Sequence, residues 1–237
     1  MRHLTIAFLL IFVTFSTTAQ VEEIKIQDFT IMYVFGPFKV DLVKSTKNKV
    51  EIDYNGIDAE EILVKSKEGE LSIKLRNRNF LDFGNNDWER RNHRYAKVTI
   101  HYKEIMAIEA RAGAVVRASE TIVAKELFLV SKMGADMRLD VKAQKLELES
   151  SMGSEVKLTG TTETLKIKSK MGSSVDASYL QSQEVTVSSS MGSEVSVFAE
   201  KELDASADFG ASITYKGNPA KKHASRFLGA EVNPKRK

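Results

Sequence analysis

The chain has 237 residues, 42% of them hydrophobic, a net charge of +3 and no cysteine. A disulfide framework is therefore excluded, and stability has to come from burial and strand pairing. The charge is small and its signs are well mixed, which gives no electrostatic footprint for a nucleic-acid partner.

The first residues read as a secretory signal peptide. Arg2 and His3 precede an apolar run from Leu4 to Phe15, and small polar residues lead to Ala19. A run of twelve residues is short of the roughly eighteen that a spanning helix needs. Cleavage after Ala19 would leave a mature chain of 218 residues (237 minus 19) with no transmembrane segment and no cysteine to carry a lipid. The expected location is the periplasm, the cell surface or the medium.

From residue 20 to residue 105 the apolar residues alternate in short runs. Strands are expected over Phe29 to Phe35, Phe38 to Val43, Val50 to Tyr54, Leu63 to Ser66, Leu71 to Leu75 and Ala96 to Tyr102, with turns at Gly36-Pro37 and Glu68-Gly69. One helical turn is expected from Asp58 to Ile62. These strands share no visible register, so the segment reads as irregular early rungs or a cap. Solenoids need a cap, because an exposed terminal rung invites edge-to-edge pairing.

Between Leu75 and Ala96 lies RNRNFLDFGNNDWERRNHR, residues 76 to 94. A connection this long is unusual in a compact domain and tends to be functional or disordered. Its arginines Arg76, Arg78, Arg90, Arg91 and Arg94 can grip carboxylates or phosphates in pairs, and Trp88 offers a flat face to a sugar ring or a cation. Those six residues are the candidate ligand-binding site, for an acidic glycan or another acidic surface ligand. The bland alternative is a cap whose aromatics cover the end of the coil.

Residues 106 to 219 carry a repeat. LFLVSKMGADMRL from Leu127 recurs as LELESSMGSEVKL, LKIKSKMGSSVDA, VTVSSSMGSEVSV and LDASADFGASITY. The glycines Gly113, Gly134, Gly153, Gly172, Gly192 and Gly210 are 21, 19, 19, 20 and 18 residues apart, so small insertions must sit in turns. Alternation within each unit means two strands with one buried face, hinged where glycine allows positive φ. Two architectures fit: a right-handed parallel β-helix with rungs of about 19 residues, or an antiparallel meander. Columns of like residues favour the β-helix, since only there do equivalent positions lie about 4.8 Å apart. The column Met133, Met152, Met171, Met191 and Phe209 is expected as a core ladder, with an unbranched thioether filling a narrow corner. Residues 220 to 237 read as a basic C-terminal tail.

Chemistry is hard to find. Asp136, Glu155, Ser174, Glu194 and Ser212 form one column, whose like charges Lys132 and Lys170 are placed to screen. A calcium site needs roughly six to eight oxygen ligands, so the column reads as a solvated ladder and no metal or other cofactor is expected. His93, His101 and His223 are scattered, without a nucleophile-base signature. The repeat serines read as turn and ladder residues.

Gly36-Pro37-Phe38-Lys39-Val40-Asp41-Leu42, Lys49-Val50-Glu51-Ile52, Glu68-Gly69-Glu70-Leu71-Ser72-Ile73, Val98-Thr99-Ile100, the glycine-centred repeats and Tyr215-Lys216-Gly217-Asn218-Pro219 together resemble the bacterial head GIN domain family of adhesin-like proteins. The resemblance spans nearly the whole mature chain. It implies a β-helix of the bacterial envelope and supplies no catalytic or binding residues. An autotransporter's own barrel has no room in 237 residues. The reading is a noncatalytic envelope or surface protein that binds glycans or surface proteins. The alternatives are a polysaccharide-active β-helix enzyme and a purely structural periplasmic scaffold. The open end of the coil is a candidate for pairing with another copy.

Overall fold

The computed structural model describes residues 21–54, 59–76 and 96–234. The expected leader over residues 1–19 lies outside them. The first part holds β1 (Val21–Lys25), β2 (Phe29–Phe35), β3 (Phe38–Lys44), β4 (Lys49–Asp53), β5 (Ile62–Lys67), β6 (Gly69–Leu75) and β7 (Ala96–Tyr102), with one 3-10 turn at Ala59–Glu61. The shorter β8 (Ala107–Arg111), β9 (Val115–Ala118) and β10 (Ile122–Lys132) follow. Then come the long β11 (Asp136–Ser151), β12 (Glu155–Lys170), β13 (Ser174–Ser190) and β14 (Glu194–Asp208), and finally β15 (Ser212–Lys216), β16 (Lys221–Phe227) and β17 (Glu231–Pro234).

The repeat stacks in parallel. Leu127, Leu146, Leu165, Val185 and Leu203 are direct neighbours from strand to strand, as are Met137, Val156, Val175, Val195 and Ile213. The protein is an all-β solenoid with a spacing of about 19 residues. Each rung has a tight corner at its glycine and a second bend within β11 to β14, so each of these strands contributes to both walls. The interior is a continuous apolar column of Leu, Ile and Val with Ala where the rung narrows. Leu148, Ile167 and Val187 are all about 1% exposed, and burying such side chains supplies roughly 1.5–3 kcal/mol each.

The first part combines a cap of antiparallel strands with parallel rungs that are out of chain order. β2 pairs with β6 on one side and β8 on the other, while β3 pairs with β7 and β9, all parallel. The β2–β3 rung is thus inserted between β6–β7 and β8–β9. The chain builds this rung first, moves outward to the end, then returns past it through residues 103–106. Asp28, Asn48 and Lys103 clamp the crossover, through Asn48 Nδ2 to Asp28 Oδ1 at 3.0 Å and Lys103 Nζ to Asp28 Oδ1 at 2.9 Å. The cap is built from antiparallel strands, β5 on β6 and β1–β4 on β7.

Within that cap, Lys49 Nζ donates to Glu51 Oε1 at 2.5 Å and Glu23 Oε2 at 3.2 Å, and His101 Nε2 lies 3.5 Å from Glu51. The Lys49 hydrogen bond holds the Glu51 carboxyl below its ordinary range against the opposing effect of burial, and His101 adds to the lowering. A depressed carboxylate contributes stability above its unfolded pKa of about 4.3, and that contribution is lost as pH falls through the folded value. Thermal melts at stepped pH should therefore show wild type losing more stability than Glu51→Gln between about pH 5 and pH 3. Parallel curves would remove Glu51 from the acid response.

At the other end, residues expected to form a basic tail build a further rung. β16 pairs with β14, and β17 with β15. Lys222, Ala224 and Arg226 fall in columns that are buried in earlier rungs, and every residue of β16 is exposed. Charge at inward positions of a terminal strand discourages pairing with other edges.

Candidate functional site

At the tight corner, the methionine and the glycine both adopt left-handed backbone, with φ of 58° at Met152 and 67° at Gly153. Met133, Met171, Met191 and Phe209 repeat this geometry beside Gly134, Gly172, Gly192 and Gly210, and Ala112 with Gly113 does so below them. The ladder is in register, since Gly134 N donates to Met152 O and Gly153 N to Met171 O. It is not a core ladder, however: Met152, Met171, Met191 and Phe209 are 51%, 47%, 53% and 53% exposed. The reason is local. Inward–outward alternation holds only in extended backbone, and two consecutive left-handed residues turn the side chain out of the rung.

The corner interior is filled by serine instead. Ser150 with Ser154, Ser169 with Ser173, and Ser189 with Ser193 pair hydroxyl to hydroxyl at 2.9, 2.8 and 2.8 Å, all buried. Each upper member also donates to a carbonyl of the rung below, as Ser154 Oγ does to Ser131 O at 2.8 Å. Next to the corner, Asp136 and Glu155 are stacked neighbours as expected. Arg138 screens them, 3.1 Å from Asp136 and 3.9 Å from Glu155, whereas Lys132 pairs with Glu149. Among the described residues no group of three or more His, Cys, Asp or Glu gathers to hold a metal ion.

The second bend carries a feature the sequence did not suggest. The triplets Val123-Ala124-Lys125, Lys142-Ala143-Gln144, Thr161-Thr162-Glu163 and Gln181-Ser182-Gln183 stack rung on rung, with Glu200 above. Ala124, Ala143 and Thr162 form the floor of an axial groove of about 540 Å³. Thr162 Oγ1 is fixed by donating to Gln144 O and Thr164 O, and Lys201 Nζ donates to Gln183 Oε1 at 2.9 Å. The walls offer amides, ammonium groups, hydroxyls and carboxylates in rows along the stack. Beside the groove a bulge in β13 adds one residue, which accounts for the 20-residue unit and turns Tyr179 outward, 63% exposed under Lys216 Nζ at 4.0 Å. Because this bulge falls between the glycine and the groove, counting from the glycines does not align its lining.

Of the arginine- and tryptophan-bearing site, only Arg76 is among the described residues. It is exposed at the end of β6, with its N–H on Glu61 O. Arg78, Trp88, Arg90, Arg91 and Arg94 lie outside them. β6 ends and β7 begins beside Phe35 and Phe38, the strand ends that flank Gly36-Pro37 in the neighbouring rung.

Fold and surfaces together define a capped β-solenoid whose polar groups are arrayed in columns on its outside. Residues 28–219 match the family described as "Putative auto-transporter adhesin, head GIN domain", and the chain belongs to it. A crystal structure of a putative adhesin from Bacteroides fragilis is similar, with 20% identity, a TM-score of 0.76, and coverage of 93% of this chain and 98% of that one. A putative lipid binding protein from Parabacteroides distasonis is also similar, with 18% identity, a TM-score of 0.65 and coverage of 92% and 96%. No curated protein matches. Among the described residues no helix is long and apolar enough to cross a membrane.

Proposed function

We propose that this protein is a noncatalytic, adhesin-like binding protein of the bacterial envelope or surface, and that the groove along the second bend receives an extended polar polymer, a glycan chain. Family membership and the descriptions of the similar structures support the adhesin-like reading. The observation that carries the glycan reading is the rung-by-rung repetition of the groove lining. Lys125, Gln144, Glu163 and Gln183 present hydrogen-bonding groups about 4.8 Å apart along one axis. A polymer with hydroxyls at each unit can satisfy such a row, whereas a compact ligand meets only part of it. Tyr179, next to the groove, supplies an aromatic face of the kind on which sugar rings pack. The 76–94 segment, with Trp88 and its arginines, is a second contact for acidic sugars.

Retention on a glycan panel, with product release followed in parallel, tests this. Binding without release is expected. Gln144→Ala/Gln183→Ala should weaken retention about tenfold, the loss of one or two neutral hydrogen bonds, with the melting temperature unchanged. Trp88→Ala/Arg91→Ala should weaken only the acidic glycans. Cleaved product would favour the enzyme reading, and no retention by wild type would favour the scaffold.

A further inference from the structure

The tight corners leave an apolar ridge that no other part of the described residues covers. Met152, Met171, Met191, Phe209 and Leu228 lie at successive corners, each about half exposed, and Met133 continues the line below. At the C-terminal end the ridge widens, because Phe227 packs edge-on against Phe209 with ring centroids 5.9 Å apart. From Met133 to Leu228 it runs five rung spacings, roughly 24 Å. The residue type is costly at this place. A left-handed corner followed by glycine is best served by asparagine, aspartate or glycine, and an ordinary side chain loses roughly 1 kcal/mol there. Here that cost recurs corner after corner, with no gain in the core. What Met, Phe and Leu share at these positions is an apolar surface, which points to contact with another molecule.

The flanks indicate which molecule. Immediately before the corner stand Arg111, Lys132 and Lys170, then Asp208 at the Phe209 corner; three residues after it stand Asp136, Glu155, Glu194 and Glu231. Next to the corners from Ala112 to Met171 one side of the ridge is therefore basic, with Asp208 reversing the sign at Phe209, while the other side carries only acids and neutral residues. We propose that a second copy of this chain docks ridge to ridge, with its stack parallel to the first, about a twofold axis running along the ridge. That operation sets each basic flank against the acidic flank of the other copy, at equal height. Lys132 then faces Asp136 of the second copy, and Lys170 faces the gap between its Glu155 and Glu194. A twofold axis across the ridge would make the stacks antiparallel and set like charge against like. An isologous contact of this kind closes at two copies. The ridge is narrow, so the dimer dissociates readily, like other contacts below about 1,200 Å² of total buried area. The groove lies on the other bend of each rung and stays open.

Sedimentation equilibrium on the exported full chain, up to high micromolar concentration, should show a reversible dimer. Met152→Lys/Met191→Lys should shift dissociation at least tenfold toward monomer with an unchanged melting temperature, because both side chains are already half in solvent. Lys170→Glu should weaken the dimer, and Lys170→Glu/Glu194→Lys should recover part of it. Orientation is read from single cysteines, which the chain otherwise lacks. With a short bis-maleimide, Met133→Cys and Phe209→Cys should each cross-link to themselves, and Thr161→Cys in the groove should not. A wild-type chain that stays monomeric throughout, or cross-links that form only between Met133→Cys and Phe209→Cys when mixed, would overturn the proposal.

Discussion

Gly160→Ala is expected to destabilise the protein by about 3 kcal/mol or more, while Gly153→Ala costs about 1 kcal/mol. Gly160 sits at the second bend with φ of 109°, and a Cβ there would stand 2.1 Å from Val141 O in the rung below. Backbone cannot yield that distance without parting the two rungs. Gly217, whose Cβ would meet Ala199 O at 2.0 Å, should behave alike. Gly153 also has positive φ, but a Cβ added to it meets nothing within 4 Å, so only the conformational cost remains. Urea denaturation of the two alanine variants measures the contrast. Equal losses would mean that the solenoid absorbs a rung displacement at its second bend.

The buried serines give the second large effect. Ser173→Ala should cost about 2 kcal/mol, because its hydroxyl meets Ser169 Oγ, Ser150 O and Lys170 O, and its loss strands a buried partner. Ser169→Ala/Ser173→Ala should cost less than the two single variants added together, since removing both hydroxyls leaves no mutual orphan. The protein already holds this double replacement elsewhere. Ala110 with Ala114, and Ala207 with Ala211, fill the same corner positions and are buried. Additive losses in a double-mutant cycle would show that each hydroxyl acts alone on its carbonyl.

The strands of the first part were legible one by one from alternation, and β2 begins and ends at Phe29 and Phe35 as expected. The stacking of their parallel rungs was not legible, because β2–β3 is laid between rungs that come later in the chain. A register read along the sequence cannot reveal neighbours set by that return. The methionine column shows the converse case. Its stacking was readable from the repeat, but its outward direction depends on two left-handed residues in succession, which a count of alternating positions does not contain. The groove was hidden for a related reason. Bulges near Ser178 and in β14 shift its lining relative to the glycines that mark the period.

By itself the sequence determined the all-β class, the parallel stacking and the rung length. Each of these follows from chemistry repeated at a fixed spacing, where a residue one unit away must be a neighbour for the repetition to matter. Only the tertiary structure decided the order of the first rungs, which corner side chains face water, and where a groove opens. Those depend on backbone sign at single turns and on which non-local strand closes against which, and neither leaves a periodic trace.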